Sequence, residues 1–370
     1  MNIKLPLYAK VTIICIGIYV FISMLHITQG IMVPLIFATM IAILLNPLVH
    51  FLEKKKFNKI LAICITLLLS IIVIAALGLL IYTQLSLFSD SWPIFVEKFT
   101  NLINQTIHWI PGYFNISAVK VDAWITETRT ELVDSSSLFI GQTILSVGSS
   151  VITFFLIPVY IFLLLYYKPL LLDFIHQLFD TKKQAKISSI ISETKSVIQK
   201  YLVGLVIETV LVAILNSVGL LALGIDYAIL IGILGALLNL IPYIGGLVAV
   251  AIPMMIALVT KDSAWFALYV MAVYYFVQLI DNNYIVPKIV ASKVRINALA
   301  SIVVVLAGGA LWGIFGMFLS IPIIAIVKVV CDRIEPLKPI GFLLGDTMPD
   351  MVIFKIKHLK KTDKEKPTST

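Results

Sequence analysis

Seven polar side chains interrupt an otherwise apolar half of this chain: Glu208, Asn216, Asn239, Gln278, Asp281, Asn282 and Asn283. A carboxylate inside a bilayer is costly, so one that persists there is a functional candidate by default. Glu208 could bind a proton or a sodium ion, or contact a polar solute. The competing reading is a carboxylate close to a helix end that finds water or Lys200. Asp281 competes with a simpler role as an interfacial residue.

Two further candidates are stretches of backbone. Residues 227–260 are apolar but broken by Asn239-Leu240-Ile241-Pro242-Tyr243-Ile244-Gly245-Gly246, and residues 299–331 by Gly308-Gly309-Ala310-Leu311-Trp312-Gly313-Ile314-Phe315-Gly316. Each run is longer than one span of about 20 residues and shorter than two. Glycine and proline weaken a helix by exposing or deleting backbone hydrogen bonds. A similar phrase follows each break: Gly246 then Ile252-Pro253, and Gly316 then Ile321-Pro322. Broken apolar segments in matching positions of two halves point to the binding site of a secondary transporter. Backbone groups freed at such a break are tolerated only facing protein or water; carbonyls suit a cation and amides an anion. The candidate substrate- or ion-binding set is therefore Glu208, Asn239, Pro242, Gly245, Gly246, Gln278, Asp281, Asn282, Gly308, Gly309, Gly313 and Gly316. The plainer alternative is that the glycines only let helices pack closely.

The elements that must position these residues follow from composition. Of 370 residues, 60% are hydrophobic and 13% charged, and the mean hydropathy is +1.04. A soluble domain carries about 25% charged residues, so the expected fold is an all-α polytopic membrane protein. Nothing alternates as a β-barrel requires. The net charge of +8 gathers beside apolar ends, as the positive-inside rule demands, and gives no sign of nucleic-acid binding. Cys15, Cys64 and Cys331 have unrelated spacings, supporting neither a disulfide framework nor a metal site.

Spans are expected at 8–28, 31–52, 60–86, 144–167, 201–224 and 264–284, with Pro34 in the first turn of the second. Lys54, Lys55, Lys56 and Lys59 mark a cytoplasmic loop, which puts the N-terminus inside as well. Residues 87–143 form an acidic extracytoplasmic insert with amphipathic stretches; Trp92, Trp109 and Trp124 read as interfacial anchors. Residues 186–201 read as a cytoplasmic amphipathic helix. The two broken segments are expected as re-entrant hairpins from opposite faces, with arms of about 21 Å that stop short of the roughly 30 Å core. They would meet near the midplane and make 201–260 an inverted repeat of 264–331. The alternative is eight plain spans. The organisation reads as a three-span unit (1–86), the insert (87–143), a fourth span with the cytoplasmic helix (144–200), the inverted-repeat transport core (201–333) and a basic cytoplasmic tail (334–370).

At these residues the chain resembles the autoinducer-2 exporter family of bacterial permeases. The matching pieces are Ile241-Pro242-Tyr243-Ile244-Gly245-Gly246, the stretch from Gln278 through Asp281-Asn282 to Pro287, and Gly308-Gly309 with Gly313, Gly316-Met317 and Ile321-Pro322. The chain departs from the family at Asn297-Ala298-Leu299, where a proline is commoner. The resemblance implies transport across a bacterial inner membrane. Some members are associated with export of autoinducer-2, others with sodium/proton antiport.

No Walker A, His-Glu-x-x-His or Gly-x-Ser-x-Gly pattern occurs, so the expectation is a non-enzyme without a cofactor. The leading functional reading is a secondary-active permease exporting a small polar metabolite or signal by alternating access. The alternatives are a sodium(lithium)/proton antiporter and a non-transporting membrane scaffold. Expected partners are the lipid bilayer, a small polar solute and H+ or Na+, with a homo-oligomer compatible with the insert.

Overall fold

The structure, a computed structural model, describes residues 6–109, 151–179, 184–241, 245–290 and 296–346. Pro242, Trp124, the remainder of the insert beyond Trp109 and most of the basic tail lie outside the described residues.

Every regular element among the described residues is helical. In order they are α1 (Leu7–Ile27), α2 (Gln29–Lys54), α3 (Lys59–Trp109), α4 (Val151–Tyr166), α5 (Lys168–Gln177), α6 (Gln184–Ala222), α7 (Ala228–Asn239), α8 (Gly245–Thr260) and α9 (Trp265–Ile280). A π-helix, π1 (Asp281–Val290), continues α9; α10 (Ala298–Arg333), a 3₁₀ turn (Glu335–Leu337) and α11 (Lys338–Leu344) follow. Five helices are long and apolar enough to cross a membrane, or six if the bent pair α4–α5 is one span. Their outward faces are apolar, as lipid requires: Ile13, Phe21, Leu68, Ile74 and Val210 are all exposed.

Three expectations change. The connection between α1 and α2 shrinks to Thr28, so α2 starts at Gln29 and Pro34 falls inside the helix rather than in its first turn. The amphipathic stretch 186–201 and the fifth span are one uninterrupted helix of 39 residues, roughly 58 Å long. No proline stands near Tyr201 to break it, Gly204 is taken up in the buried face of the helix, and the buried faces run together through Ile198, Tyr201 and Leu202. Likewise α3 runs through position 86 without a stop, to Trp109.

Helix α6 is the hub of the bundle. It packs against α2, α5, α7, α9, π1 and α10, burying a stripe of Tyr201, Gly204, Glu208, Val212, Asn216 and Leu220 at helical spacing. The described residues form four cores in the bundle, one of which, Val212, Ala236, Val277 and Ile285, joins α6 to α7, α9 and π1. Ala38, Ala42 and Ala62 let α2, α3 and α4 approach closely around Ile63, Ile161 and Leu165. Met40, Ile198, Leu202 and Leu319 join α2, α6 and α10. Leu220, Ala228, Ile231, Ile256, Ala257 and Val270 join α6 to α9. In that last core the start of α7 meets the second half of α8, so these two arms run antiparallel.

Helix α10 also has two arms. Trp312 and Gly313 leave the helical region, Gly313 with φ 60° and ψ −143°, a conformation open essentially to glycine alone. Beyond it the chain reverses: a methyl group on Gly308 would lie 2.5 Å from the carbonyl oxygen of Gly316, and Gly309 faces Met317. Pro253 in α8 and Pro322 in α10, the matching prolines of the sequence, are both fully buried.

Candidate functional site

The buried stripe of α6 carries Glu208 and Asn216, 8% and 3% exposed, so both polar residues face protein instead of lipid. Across from Glu208, at the junction of α9 and π1, sits Asp281 at 2% exposure. Glu208 is within electrostatic range of both Asp281 and Tyr201.

The junction has a local cause. Pro287 has no N–H to donate and its ring crowds the carbonyl four residues back, and a wider π turn relieves both. Carbonyls at the register change then need other donors. Asn283 Nδ2 donates to the Leu279 carbonyl at 2.8 Å, and the Asp281 amide donates to the carbonyls of Val277 and Gln278. The wider turn leaves the Asp281 side chain pointing at the end of α7, where Asn239 Nδ2 donates to Asp281 Oδ2 at 3.1 Å. The other carboxylate oxygen, Oδ1, is buried without a hydrogen-bond partner among the described residues.

Gly246, in the first turn of α8, completes this group. A methyl group there would stand 3.6 Å from Gln278 Oε1 and 4.0 Å from Asn239 Oδ1. Gln278 is held by donating from Nε2 to Asn282 Oδ1 at 3.2 Å. Asn239, Gly246, Gln278, Asp281 and Asn282 are thus linked around the end of α7 and the start of α8, with Glu208 in electrostatic range of Asp281. Gly245 is a packing position, set against the Leu238 carbonyl.

Gly308, Gly309, Gly313 and Gly316 do not join them. Among the described residues, α10 makes no contact with α7 or α8; α6 lies between. The expected meeting of two glycine-bearing breaks is therefore not what the described residues show. The bend of α10 is tied instead to α1, with Trp312 Nε1 donating to the Leu25 carbonyl at 3.1 Å and the His26 ring nitrogen 3.0 Å from the Leu311 carbonyl oxygen. Phe37 of α2 stacks on Phe318 and meets Phe315 edge-on. Gly308 and Gly316 pack against each other's backbone, and Gly308 also against the Ser320 hydroxyl.

A second polar layer joins Asn216 to Tyr274, which the sequence reading did not single out. Among the described residues Asn216 Oδ1 and the Tyr274 hydroxyl are buried without hydrogen-bond partners, and Gly235 of α7 lies against both side chains. Tyr274, Gln278 and Asp281 recur at i, i+4 and i+7, a helical spacing that marks one face and would have revealed Tyr274. Among the described residues no three His, Cys, Asp or Glu side chains are grouped to hold a metal ion.

A family model described as AI-2E family transporter matches residues 12–335. The chain belongs to this family. The match runs from α1 to the 3₁₀ turn and includes every candidate site residue; α11 lies past it. The chain is 24% identical over 320 residues to the putative transport protein YrrI of Bacillus subtilis, covering 82% of this chain and 86% of the relative. It is 25% identical over 357 residues to a putative transport protein of Borreliella burgdorferi, covering 94% and 93%. It is 25% identical over 317 residues to the AI-2 transport protein TqsA of Escherichia coli, covering 85% and 90%. The family is one of membrane transporters and permeases, not of enzymes. That displaces the scaffold reading. The sodium(lithium)/proton antiporter reading finds no support in these relatives and is dropped.

Proposed function

We propose that this protein is a secondary-active permease that exports a small polar solute across the bacterial inner membrane, and that Glu208, Asn239, Gln278 and Asp281 bind that solute. The observation that carries the reading is Asp281: a carboxylate at 2% exposure, held by a bond from Asn239, with its second oxygen unpartnered among the described residues. A buried polar atom left without a partner costs about 1–3 kcal/mol, which a solute's donor would recover. Glu208, close to Asp281 in the same protein-lined layer, is the group to couple transport to protons, since a carboxylic acid and a carboxylate differ by one charge.

In this reading six full spans accompany two re-entrant arm pairs, α7–α8 from the outer face and α10 from the inner, with both termini cytoplasmic. An inverted pair of this kind is the usual frame for alternating access. The bonds from the bend of α10 to Leu25 and His26, at the far end of α1, favour a bend lying closer to the outer face than to the midplane.

The test is flux in liposomes reconstituted with the full chain, under an imposed pH gradient. Autoinducer-2 is the first solute, because one relative bears its name, followed by a panel of small polar metabolites. Gradient-driven flux is expected, falling at least tenfold in Asp281→Asn and losing its pH dependence in Glu208→Gln. Absence of flux for every solute, or equal flux in both variants, overturns the reading.

A further inference from the structure

At another end of the bundle the helices enclose a cavity of about 400 Å³ that shares no residue with the Asp281 group. Its wall comes from the last turns of α2 (His50, Glu53), the first residue of α3 (Lys59) and the elbow between α4 and α5 (Lys168, Asp173). Lys59 Nζ donates to the Tyr166 carbonyl and Lys168 Nζ to Asn46 Oδ1, both at 2.8 Å. An ammonium has three N–H groups, so each lysine is fixed in place by one bond and keeps two donors. Burial, and then the charge of Lys195, hold the Lys168 ammonium below the usual lysine range; Glu53 offsets this only in part. The wall thus carries two carboxylates, Glu53 and Asp173, beside two lysines that keep donors to spare.

The setting of the cavity is interfacial. Helix α5 turns 62° away from α4, with Pro169 in its first turn, and exposes Leu170, Leu171 and Phe174. A short amphipathic helix with this composition lies along the headgroup layer. Lys54 and Lys55, at the adjoining end of α2, belong at the same level.

We propose that this cavity binds one phospholipid headgroup, with the phosphate on Lys59 and Lys168 and a primary ammonium on Glu53 and Asp173. Two cations and two carboxylates line one wall, and a phosphoethanolamine headgroup carries both opposite charges a few bonds apart. A headgroup without an amine would set its phosphate beside unmatched carboxylates. Inorganic phosphate would gain nothing from the exposed apolar face of α5, where the acyl chains would run.

The experiment uses the purified full-length chain in mild detergent, read by thermal unfolding and by native mass spectrometry. Added phosphatidylethanolamine is expected to raise the midpoint by a few degrees through binding to the folded state, with one lipid retained per chain. Phosphatidylglycerol with the same acyl chains should give a smaller rise, and inorganic phosphate none. Lys168→Gln and Asp173→Asn should each abolish the increment, while Lys168→Arg and the distant Lys10→Gln keep it. Asp173 is exposed, so its substitution tests the site even where Lys168→Gln impairs folding. An equal rise with phosphatidylglycerol, a rise with phosphate alone, or a full increment in Asp173→Asn would overturn the proposal.

Discussion

Gly308 and Gly316 stand backbone to backbone across the bend of α10, so close that a methyl group on Gly308 would sit 2.5 Å from the Gly316 carbonyl oxygen. Alanine at either position must push the arms apart. We expect Gly308→Ala and Gly316→Ala to destabilise the protein by about 1–3 kcal/mol, the usual cost of overpacking. Gly313 differs, with open space around it but φ 60°, so Gly313→Ala should cost a similar amount through backbone strain alone. Gly78→Ala, in an exposed helix with nothing within 4 Å, should be neutral or slightly stabilising. Midpoints of thermal unfolding in one detergent separate these cases.

Asn239 is the sole hydrogen-bond donor to the Asp281 side chain among the described residues. Asn239→Ala removes it and leaves both carboxylate oxygens buried and unpaired. The expected loss is about 1–3 kcal/mol of stability together with loss of flux. Asp281→Asn should recover stability without recovering transport. A double variant as unstable as Asn239→Ala would disprove this pairing of roles.

If the α7–α8 arms turn back toward the outer face, Lys261 and Lys288 bracket a single full crossing, α9 with π1. A membrane-impermeant thiol reagent added outside intact cells should then label Lys261→Cys and spare Lys288→Cys. The reverse pattern selects eight plain spans.

Asn297 fastens the start of α10 to the end of α11. Its Oδ1 accepts from the Ala300 amide at 2.8 Å while Nδ2 donates to the carbonyls of Leu343 and Gly345 at 2.7 and 2.9 Å. Asn297→Ala should cost about 1 kcal/mol for the lost cap and expose the chain near Gly345 to protease. Asn297→Ser keeps a capping oxygen but lacks the amide, so it should restore stability while leaving the protease sensitivity. Digestion time courses read by mass spectrometry check both.

Lys168 supplies the pH prediction. Its folded value lies below the ordinary 10.5, chiefly through burial, so the unfolded chain binds the additional proton between the two values. Stability therefore rises with pH across that alkaline window. In lipid-free detergent, the difference between the protein and Lys168→Gln should shift in favour of the lysine form as pH climbs toward 10.5. A pH-independent difference would show that burial does not penalise the Lys168 charge.

Much of this molecule is legible in its residues. Apolar runs of the right length fixed the helical membrane character, and the breaks at Asn239 and Gly313 were visible because glycine and proline have few uses inside such runs. Glu208, Asn239, Gln278 and Asp281 stood out individually through the cost of polar side chains in lipid. What could not be read was which surfaces meet. Glycines at Gly246 and Gly308 look alike in one dimension, yet Gly246 faces two amide oxygens and Gly308 faces another glycine. The π turn at Asp281 depends on how Pro287 is accommodated, and the alternative, a plain kink, is written in the same letters. The unbroken course of α6 past Tyr201 was hidden by a change of polarity that only marks where the helix leaves its apolar surroundings.

That unbroken course ties distant events together. Glu193, paired with Arg333 at 2.6 Å, and Glu208 belong to the same stiff rod, with no hinge between them to absorb motion. Any tilt that the last residues of α10 impose on the polar end is delivered, lever-like, to the acids in the interior. Under the proposed function, a nudge at Glu193 becomes a displacement beside Glu208.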